Sequence, residues 1–521
     1  MRRLLLLFLF AAPLAVNAKV IPATPDMVEL AAQIRSGQTS SEASVRLFRQ
    51  RIAALDDAGP TLGAVLALMP DAPAYARKRD SETKAGKPLG PLHGIAVLIK
   101  DNIEVAGTVP TTAGSLALAH SVTNRDAAVV KRLRESGAII LGKTNLSEWA
   151  NIRSNESTSG WSAVGGLTRN PHVLNRSACG SSSGNGAAIA AGLAAGAVGT
   201  ETDGSITCPA AVNGIVGFKP TLGLVSRTFI VPISHSQDTA GPMTRSVRDA
   251  ALMLGVMAGS DTADAATIEA DQHKTDYFNA LSVTALKGKR IGVMRDRLGT
   301  NPGVIALFEN ALKVMKQLGA DIVEIKDSRT GLDGLGEAEF TVLLYELKAD
   351  LGHYLKGLPS TVRTRSLADV IAFNKSNAAR EMRWFGQDIF EMAQAKGTLD
   401  DPAYTNALAR SKKLAGPLGI DRLMAENKVD ILVGITNGPA WSIDLVSGDH
   451  FAGPSAAQLP AVAGYPHLTV PMGLYENLPI GLSFIAGKWE DSKVLAMGYA
   501  YEQASHKIAT PRFLTTLEWP Q

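Results

Sequence analysis

A stretch of small residues at positions 177–209 constrains this chain more than any other sequence feature. Two clusters rich in serine and glycine, at 177–186 and 199–206, bracket an apolar run that is mostly alanine. Flexible Gly/Ser linkers do not contain such a run, so we predict a tightly packed, buried helix over residues 187–198. The glycines on either side then lie at fixed turns where the backbone approaches another group closely. Serines held on such turns are candidate nucleophiles.

The first eighteen residues have the pattern of a secretory signal peptide. Arg2 and Arg3 form a basic start, residues 4–16 are uncharged and apolar, and small residues at 16–18 suit cleavage after Ala18. The apolar run is shorter than the roughly 20 residues that a membrane-spanning helix needs. We therefore predict a signal peptide over residues 1–18, a periplasmic or secreted mature protein, and no stable membrane insertion.

The composition favours a soluble globular protein. Hydrophobic residues make up 45% of the chain and charged residues 19%, and the formal net charge is only +3. Because no basic stripe accompanies that charge, we expect no nucleic-acid partner. The nine histidines show none of the close spacings of zinc motifs, so we predict neither a metal nor a cofactor. The sequence does not indicate an oligomeric state.

The two cysteines of the chain, Cys179 and Cys208, both lie in the central stretch. In an oxidising compartment they could form a disulfide. Cysteines beside glycine and proline turns are more often small, buried, unpaired side chains. The sequence favours the unpaired state and leaves the disulfide open.

Strand and helix patterns alternate along the chain. Strands are predicted at 93–99, 138–141, 290–294, 321–325, 430–433, 468–470 and 481–485, with helices at 126–135 and 492–504. This alternation indicates an α/β fold in which helices cover both faces of a central sheet. Residues 335–427 are mostly helical and richer in charge. We predict one domain over residues 19–521, with a helical insertion at about 335–427.

Five motifs resemble those of the amidase signature family. They are P-L-H-G-I-A-V-L-I-K-D-N-I (91–103), L-G-K-T-N-L-S-E-W (141–149), C-G-S-S-S-G (179–184), T-D-G-S-I (202–206) and G-F-K-P-T (217–221). Within the family, the segments at 160–163, 200–206, 236–243 and 366–374 are most similar to bacterial peptide amidases. The resemblance covers essentially the whole mature chain and implies the family's fold, with a mixed central sheet.

The resemblance implies a Ser–Ser–Lys triad. Lys100 matches the family's base, Ser181 the serine that relays the proton, and Ser205 the nucleophile. In the family, a cis peptide bond precedes the relaying serine, here between Gly180 and Ser181. The residue types fit the chemistry, because a serine hydroxyl attacks an amide only when a base removes its proton. A lysine is such a base only when it is neutral, and burial favours the neutral form.

The same resemblance implies an oxyanion hole in the loop that carries the nucleophile. Its candidate donors are the backbone N–H groups of Thr202, Asp203, Gly204 and Ser205. Asp203 stands where the family usually has a glycine. We expect its carboxylate to bind a cationic or amide group of the substrate.

Further substrate contacts are expected from the loop at 149–160 and from the helical insertion. Trp149 and Ser159 are the candidate side chains in that loop. The family usually has an arginine where this chain has Thr207, which argues against small substrates that carry a nearby carboxylate. We therefore expect a small-molecule or peptide amide as substrate, and predict hydrolysis of C-terminal amides of peptides or amino acid amides to a carboxylate and ammonia.

Three alternatives remain open. The first is a broad-specificity exported amidase for small aliphatic or aryl amides. The second is an α/β-hydrolase, because residues 180–184 fit G-x-S-x-G with Ser182 as nucleophile and His467 or His506 as base; it leaves Lys100 and Ser205 unexplained. The third is an exported binding protein whose glycine-rich turns hold anions without catalysis.

Overall fold

A computed structural model describes residues 24–517, so the predicted signal peptide lies outside the described residues. The strands are β1 (Val65–Leu68), β2 (Ala96–Lys100), β3 (Ile139–Thr144), β4 (Trp161–Ser162), β5 (Gly166–Leu167), β6 (Gly196–Glu201), β7 (Val216–Lys219), β8 (Thr239–Thr244), β9 (Arg290–Met294), β10 (Asp321–Ile325), β11 (Ile431–Ile435), β12 (His467–Tyr475) and β13 (Leu478–Ile485). The helices are α1 (Met27–Arg35), α2 (Ser41–Leu55), α3 (Ala72–Lys84), α4 (Ala128–Glu135), α5 (Ser183–Ala190), α6 (Thr207–Asn213), α7 (Val247–Met257), α8 (Ala270–His273), α9 (Pro302–Gln317), α10 (Leu335–Lys356), α11 (Leu367–Ser376), α12 (Ala378–Glu381), α13 (Asp388–Gln394), α14 (Pro402–Ala415), α15 (Arg422–Asn427), α16 (Gln458–Ala463) and α17 (Asp491–Ser505).

Eleven of the strands form one mixed sheet, in the order β1-β3-β2-β6-β8-β7-β12-β13-β11-β9-β10. Two groups of helices pack against the sheet. One consists of α5 and α6, and the other of α4, α7, α9 and α17. The α/β fold with a mixed, helix-covered sheet is therefore confirmed. Strands β3, β2 and β6 are neighbours and run parallel. Their carboxyl ends consequently meet at one edge of the sheet, which is where ligands bind in α/β folds.

The prediction of one helix over residues 187–198 is wrong. Helix α5 ends at Ala190, the chain turns at Gly192 with φ +67°, and strand β6 begins at Gly196. The alanines favour a helix locally, but β6 lies between β2 and β8 and is buried along its whole length. Small residues allow this close packing. A Cβ atom added at Gly199 would lie 2.7 Å from the sulfur of Met243.

Residues 335–427 are predominantly helical, from α10 to α15. The 22-residue helix α10 contributes Leu344, Leu347 and Leu351 to a buried apolar cluster that is separate from the main core. Trp149 and Phe390 belong to the same cluster, so the helical segment packs directly on the loop that follows β3. Within residues 24–517, no helix combines the length and the apolar character that a membrane span requires.

Candidate active site

Lys100 is the last residue of β2 and its side chain is fully buried. Its Nζ lies 2.7 Å from Oγ of Ser181. It also lies 2.9 Å from Oγ1 and 3.3 Å from the carbonyl oxygen of Thr200, near the end of the adjacent strand β6. Because β2 and β6 run parallel, their ends bring these groups together. Asn102 completes the arrangement by donating from Nδ2 to Oγ1 of Thr200 at 3.0 Å.

Burial lowers the pKa of Lys100 to about 7, although the negative charges of Asp238 and Glu201 act in the opposite direction. Among the described residues, no carboxylate oxygen lies within 4.0 Å of its Nζ. Lys143 of β3 is equally buried, but its Nζ forms an ion pair with Asp101 at 3.1 Å. A buried lysine without a carboxylate partner is readily neutral near pH 7. Lys100 can therefore accept a proton. Burial also lowers the pKa of Lys143, but there the charge of Asp101 and its hydrogen bond act in the opposite direction.

The loop that carries Ser181 is fixed on both sides by hydrogen bonds. The peptide bond between Gly180 and Ser181 is cis, as the resemblance implied. The carbonyl oxygen of Ser181 accepts from the N–H of Ser147 at 3.1 Å, and the N–H of Ser182 donates to the carbonyl oxygen of Ser205 at 3.1 Å. The second bond joins this loop directly to the loop of the predicted nucleophile. Both serine loops therefore lie at the sheet edge where β2 ends.

Ser205 lies in a tight turn between β6 and α6, and 8% of it is exposed. Gly204 has φ +78°, a conformation that favours glycine. Within residues 24–517, the N–H groups of the four predicted donors, Thr202, Asp203, Gly204 and Ser205, donate to no other protein group. The next two N–H groups differ, because both donate to the carboxylate of Glu201, at 2.8 and 2.9 Å. The turn thus presents unpaired donors of the kind that stabilise an oxyanion.

Cys179 and Cys208 form a disulfide with a Cα–Cα distance of 6.1 Å. The interpretation of these residues as unpaired side chains is therefore wrong. Cys179 precedes Ser181 by two positions and Cys208 lies in α6, just after Ser205. The disulfide therefore links the two serine loops covalently. Local sequence around each cysteine could not reveal this pairing, because it depends on how the two loops meet at the sheet edge.

Comparison with known proteins agrees with this architecture. The sequence model of the Amidase family matches residues 43–495, which is most of the chain. This chain belongs to the amidase signature family.

The chain is 48% identical to the native peptide amidase of Stenotrophomonas maltophilia, with a TM-score of 0.90, over 94% of this chain and 99% of that one. The complex of peptide amidase PAM with the competitive inhibitor chymostatin gives 49% identity and a TM-score of 0.91, at the same coverage. A probable amidase of Arabidopsis thaliana is 38% identical over 487 residues, 91% of this chain and 89% of that protein. The chain is accordingly an amide-hydrolysing enzyme.

A cavity of about 480 Å³ adjoins the buried lysine of this amidase. Its lining includes Thr200, which contacts Nζ of Lys100, and Asn102, which donates to Thr200. Asp238 also lines it and accepts a 2.6 Å hydrogen bond from Oγ1 of Thr202 in the predicted oxyanion loop. Burial raises the pKa of Asp238 to about 6. Thr200 and Asp238 were not predicted as site residues, although both lie within segments that carry the resemblance.

The three predicted substrate contacts differ in accessibility. Asp203 is an exposed residue. Trp149 is buried and stacks edge-on against Phe390, with ring centroids 5.9 Å apart. Ser159 is also buried, and its Oγ donates to Oδ2 of Asp449 at 2.5 Å. Only Asp203 is thus directly exposed, while Trp149 and Ser159 support the loop at 149–160 from within.

Asp203 is paired with a carboxyl group that the sequence did not suggest. Asp203 is solvent-accessible, yet the protein groups around its carboxyl group desolvate it in part. This desolvation, followed by the charges of Glu339 and Glu201, raises its pKa well above the usual range. Its carboxyl group is hydrogen-bonded to that of Glu339 in α10. Glu339 comes from the helical segment, far along the chain, and no sequence motif marks it.

The α/β-hydrolase alternative requires a histidine next to the Ser182 hydroxyl. Among the described residues, neither candidate, His467 or His506, lies there. Oγ of Ser182 donates to the carbonyl oxygen of Thr200 at 3.1 Å. Nε2 of His467 is instead 2.6 Å from Oγ of Ser483, and burial lowers the pKa of His467 to about 3. His506 is exposed at the end of α17.

Proposed function

We propose that this enzyme uses Lys100, Ser181 and Ser205 as a catalytic triad. The observation that carries the proposal is the fully buried Lys100, whose Nζ lies 2.7 Å from Oγ of Ser181. Neutral Lys100 takes the Ser181 hydroxyl proton while Ser181 takes that of Ser205, and Oγ of Ser205 attacks the amide carbonyl carbon. The developing oxyanion is stabilised by the free N–H groups of residues 202–205.

The protonated lysine then returns its proton through Ser181 to the leaving nitrogen. The C–N bond breaks, ammonia departs, and the acyl group remains as an ester on Ser205. A water molecule, deprotonated through the same relay, attacks this ester and releases a carboxylate. Each proton that Lys100 accepts is thus given back within the cycle, so the triad needs no cofactor.

We further propose that the substrates are C-terminal amides of peptides or amino acid amides. Two observations and one steric argument support this class. The chain is 48–49% identical to peptide amidase structures over nearly their whole length. Thr207 occupies the position of the family's usual arginine, and its Oγ1 donates to Glu201 at 3.2 Å. A peptide bound by its body, with little room beyond the scissile carbon, would be cleaved only at a terminal amide.

The test is ammonia release from three compounds under the same conditions. They are a peptide amide, the same peptide as free acid, and benzamide. Ammonia from the peptide amide alone supports the proposal. Faster turnover of benzamide would favour the broad-specificity alternative, and cleavage inside the free-acid peptide would refute restriction to terminal amides.

We also propose that the protein is exported. The pattern of residues 1–18 supports export, and so does the Cys179–Cys208 disulfide, because disulfides persist in oxidising compartments. The measurement is the N-terminal mass of the protein purified from the periplasm or medium. Cleavage near Ala18 is expected. An intact N-terminus on a protein confined to the cytoplasm would contradict export.

A further inference from the structure

Two carboxyl groups meet beside the predicted oxyanion loop. Asp203 belongs to that loop, and Glu339 extends from the second turn of α10. Glu339 is 5% exposed and is held by two amide groups. Nε2 of Gln237 donates to its Oε1 and Nε2 of Gln458 to its Oε2, each at 2.9 Å. Nε2 of Gln237 also lies 3.3 Å from the carbonyl oxygen of Thr202. Glu339 is therefore attached to the loop that carries the nucleophile.

The hydrogen bonds indicate where the proton of this carboxyl pair resides. Both oxygens of Glu339 already accept from amide N–H groups, as an ionised carboxylate does. The bond between the two carboxyl groups acts to raise the pKa of Asp203 and to lower that of Glu339, so Asp203 is the partner that donates the proton. The charges of Glu201 and Lys219 also act on Asp203, and the charge of Lys412 acts on Glu339. The pair thus holds one proton and carries one negative charge.

We propose that Asp203 and Glu339 act together as a specificity-determining pair that favours a neutral carboxamide over a carboxylate at the scissile position. Asp203 is solvent-accessible two residues before Ser205, and its hydrogen bond to ionised Glu339 keeps the pair's negative charge beside the loop of the nucleophile. A carboxamide carries no charge and can donate its N–H groups to the pair. The carboxylate product is repelled by it, because the interaction of like charges is strong in a partly desolvated cleft. The pair consequently promotes product release. This inference rests on the proposed triad at Ser205, and Glu339 acts in it as a positioning residue that keeps the proton on Asp203.

The test compares product inhibition in three proteins at pH 8. They are the wild type, the double variant Asp203→Asn/Glu339→Gln, which removes the pair's charge, and the control Glu337→Gln. Glu337 lies two positions away on the exposed face of the same helix, so the control loses an identical group elsewhere. The inhibitor is the free acid of whichever amide the wild type hydrolyses, and its Ki is measured beside KM for that amide.

We expect Ki for the acid to fall about tenfold or more in the double variant, while KM for the amide changes much less and the control matches the wild type. If the pair had only a structural role, its loss would alter Ki for the acid and KM for the amide together. An unchanged or higher Ki in an active double variant would overturn the proposal.

A second measurement applies even if the double variant does not fold. In the variant Ser205→Ala, which cannot cleave the amide, the amide should bind at least about tenfold more tightly than its acid at pH 8. Equal affinities would overturn the proposal. The acid is always matched to the amide that the enzyme hydrolyses. If the enzyme does not prefer peptide amides, the comparison is made with the substrate that it does prefer. A failure of peptide-amide specificity is therefore distinguished from a failure of this proposal.

Discussion

Replacing Lys100 with methionine separates the energetic cost of burying this lysine from its use in catalysis. Lys100 is fully buried, and its pKa is lowered from 10.5 to about 7. At roughly 1.4 kcal/mol per pH unit, this corresponds to about 5 kcal/mol of lost folding stability when the lysine is charged in both states. A methionine of similar length removes that cost, so Lys100→Met should be more stable than the wild type and inactive.

The pH dependence of this effect has a definite sign. Below pH 7, folded and unfolded Lys100 are both protonated, and the full cost applies. Between pH 7 and 10.5, the folded protein has lost the proton and the unfolded chain retains it, so the unfolded state binds more protons and wild-type stability rises with pH. The advantage of Lys100→Met should therefore shrink by about 3 kcal/mol between pH 6 and pH 9.

The assay is urea unfolding of both proteins at pH 6 and pH 9. Lys143→Met is the matched control, because Lys143 is equally buried but paired with Asp101. Its loss leaves a buried carboxylate without its partner and should destabilise the protein by roughly 3–5 kcal/mol. The reasoning about Lys100 fails if Lys100→Met is less stable than the wild type at pH 6, or if the difference is the same at both pH values.

Three further predictions follow from the same structure. First, kcat/KM for an uncharged peptide amide should rise about tenfold from pH 6 to pH 8 as Lys100 becomes neutral; a flat profile would exclude Lys100 as the base. Second, replacing Cys179 and Cys208 by serine should reduce the free energy of unfolding in urea by roughly 3–4 kcal/mol, given the 29-residue separation. Stability equal to that of the oxidised wild type would contradict this. Third, Arg153→Met should destabilise the protein by about 3–5 kcal/mol, because it leaves the buried carboxylates of Glu148 and Glu381 without their partner. An unchanged melting temperature would count against a structural role for Arg153.

The sequence predicted the parts of this protein that depend on local pattern. A continuous apolar run indicated the buried strand that ends at Lys100, and strands at 290–294 and 321–325 have the bounds seen in β9 and β10. It misassigned residues 187–198, because alanine favours helices and only the packing between β2 and β8 makes part of that run a strand.

The parts of the site that depend on distant contacts were not predictable in the same way. The disulfide forms because two loops meet at one sheet edge, and neither cysteine shows this locally. Glu339 reaches Asp203 only because α10 packs on the loop after β3 and because Gln237 and Gln458 orient its carboxylate. These contacts link residues far apart in sequence, so periodicity and motif spacing carry no information about them.

The most direct test of the proposed mechanism is to identify the serine that a fluorophosphonate probe modifies, by mass spectrometry of the labelled peptides. The wild type is compared with Ser205→Ala and Ser182→Ala, and ammonia release from the peptide amide is measured in parallel. The triad predicts an adduct on Ser205, a loss of several orders of magnitude in kcat for Ser205→Ala, and retained labelling and activity in Ser182→Ala. An adduct on Ser182, or an active Ser205→Ala enzyme, would contradict it.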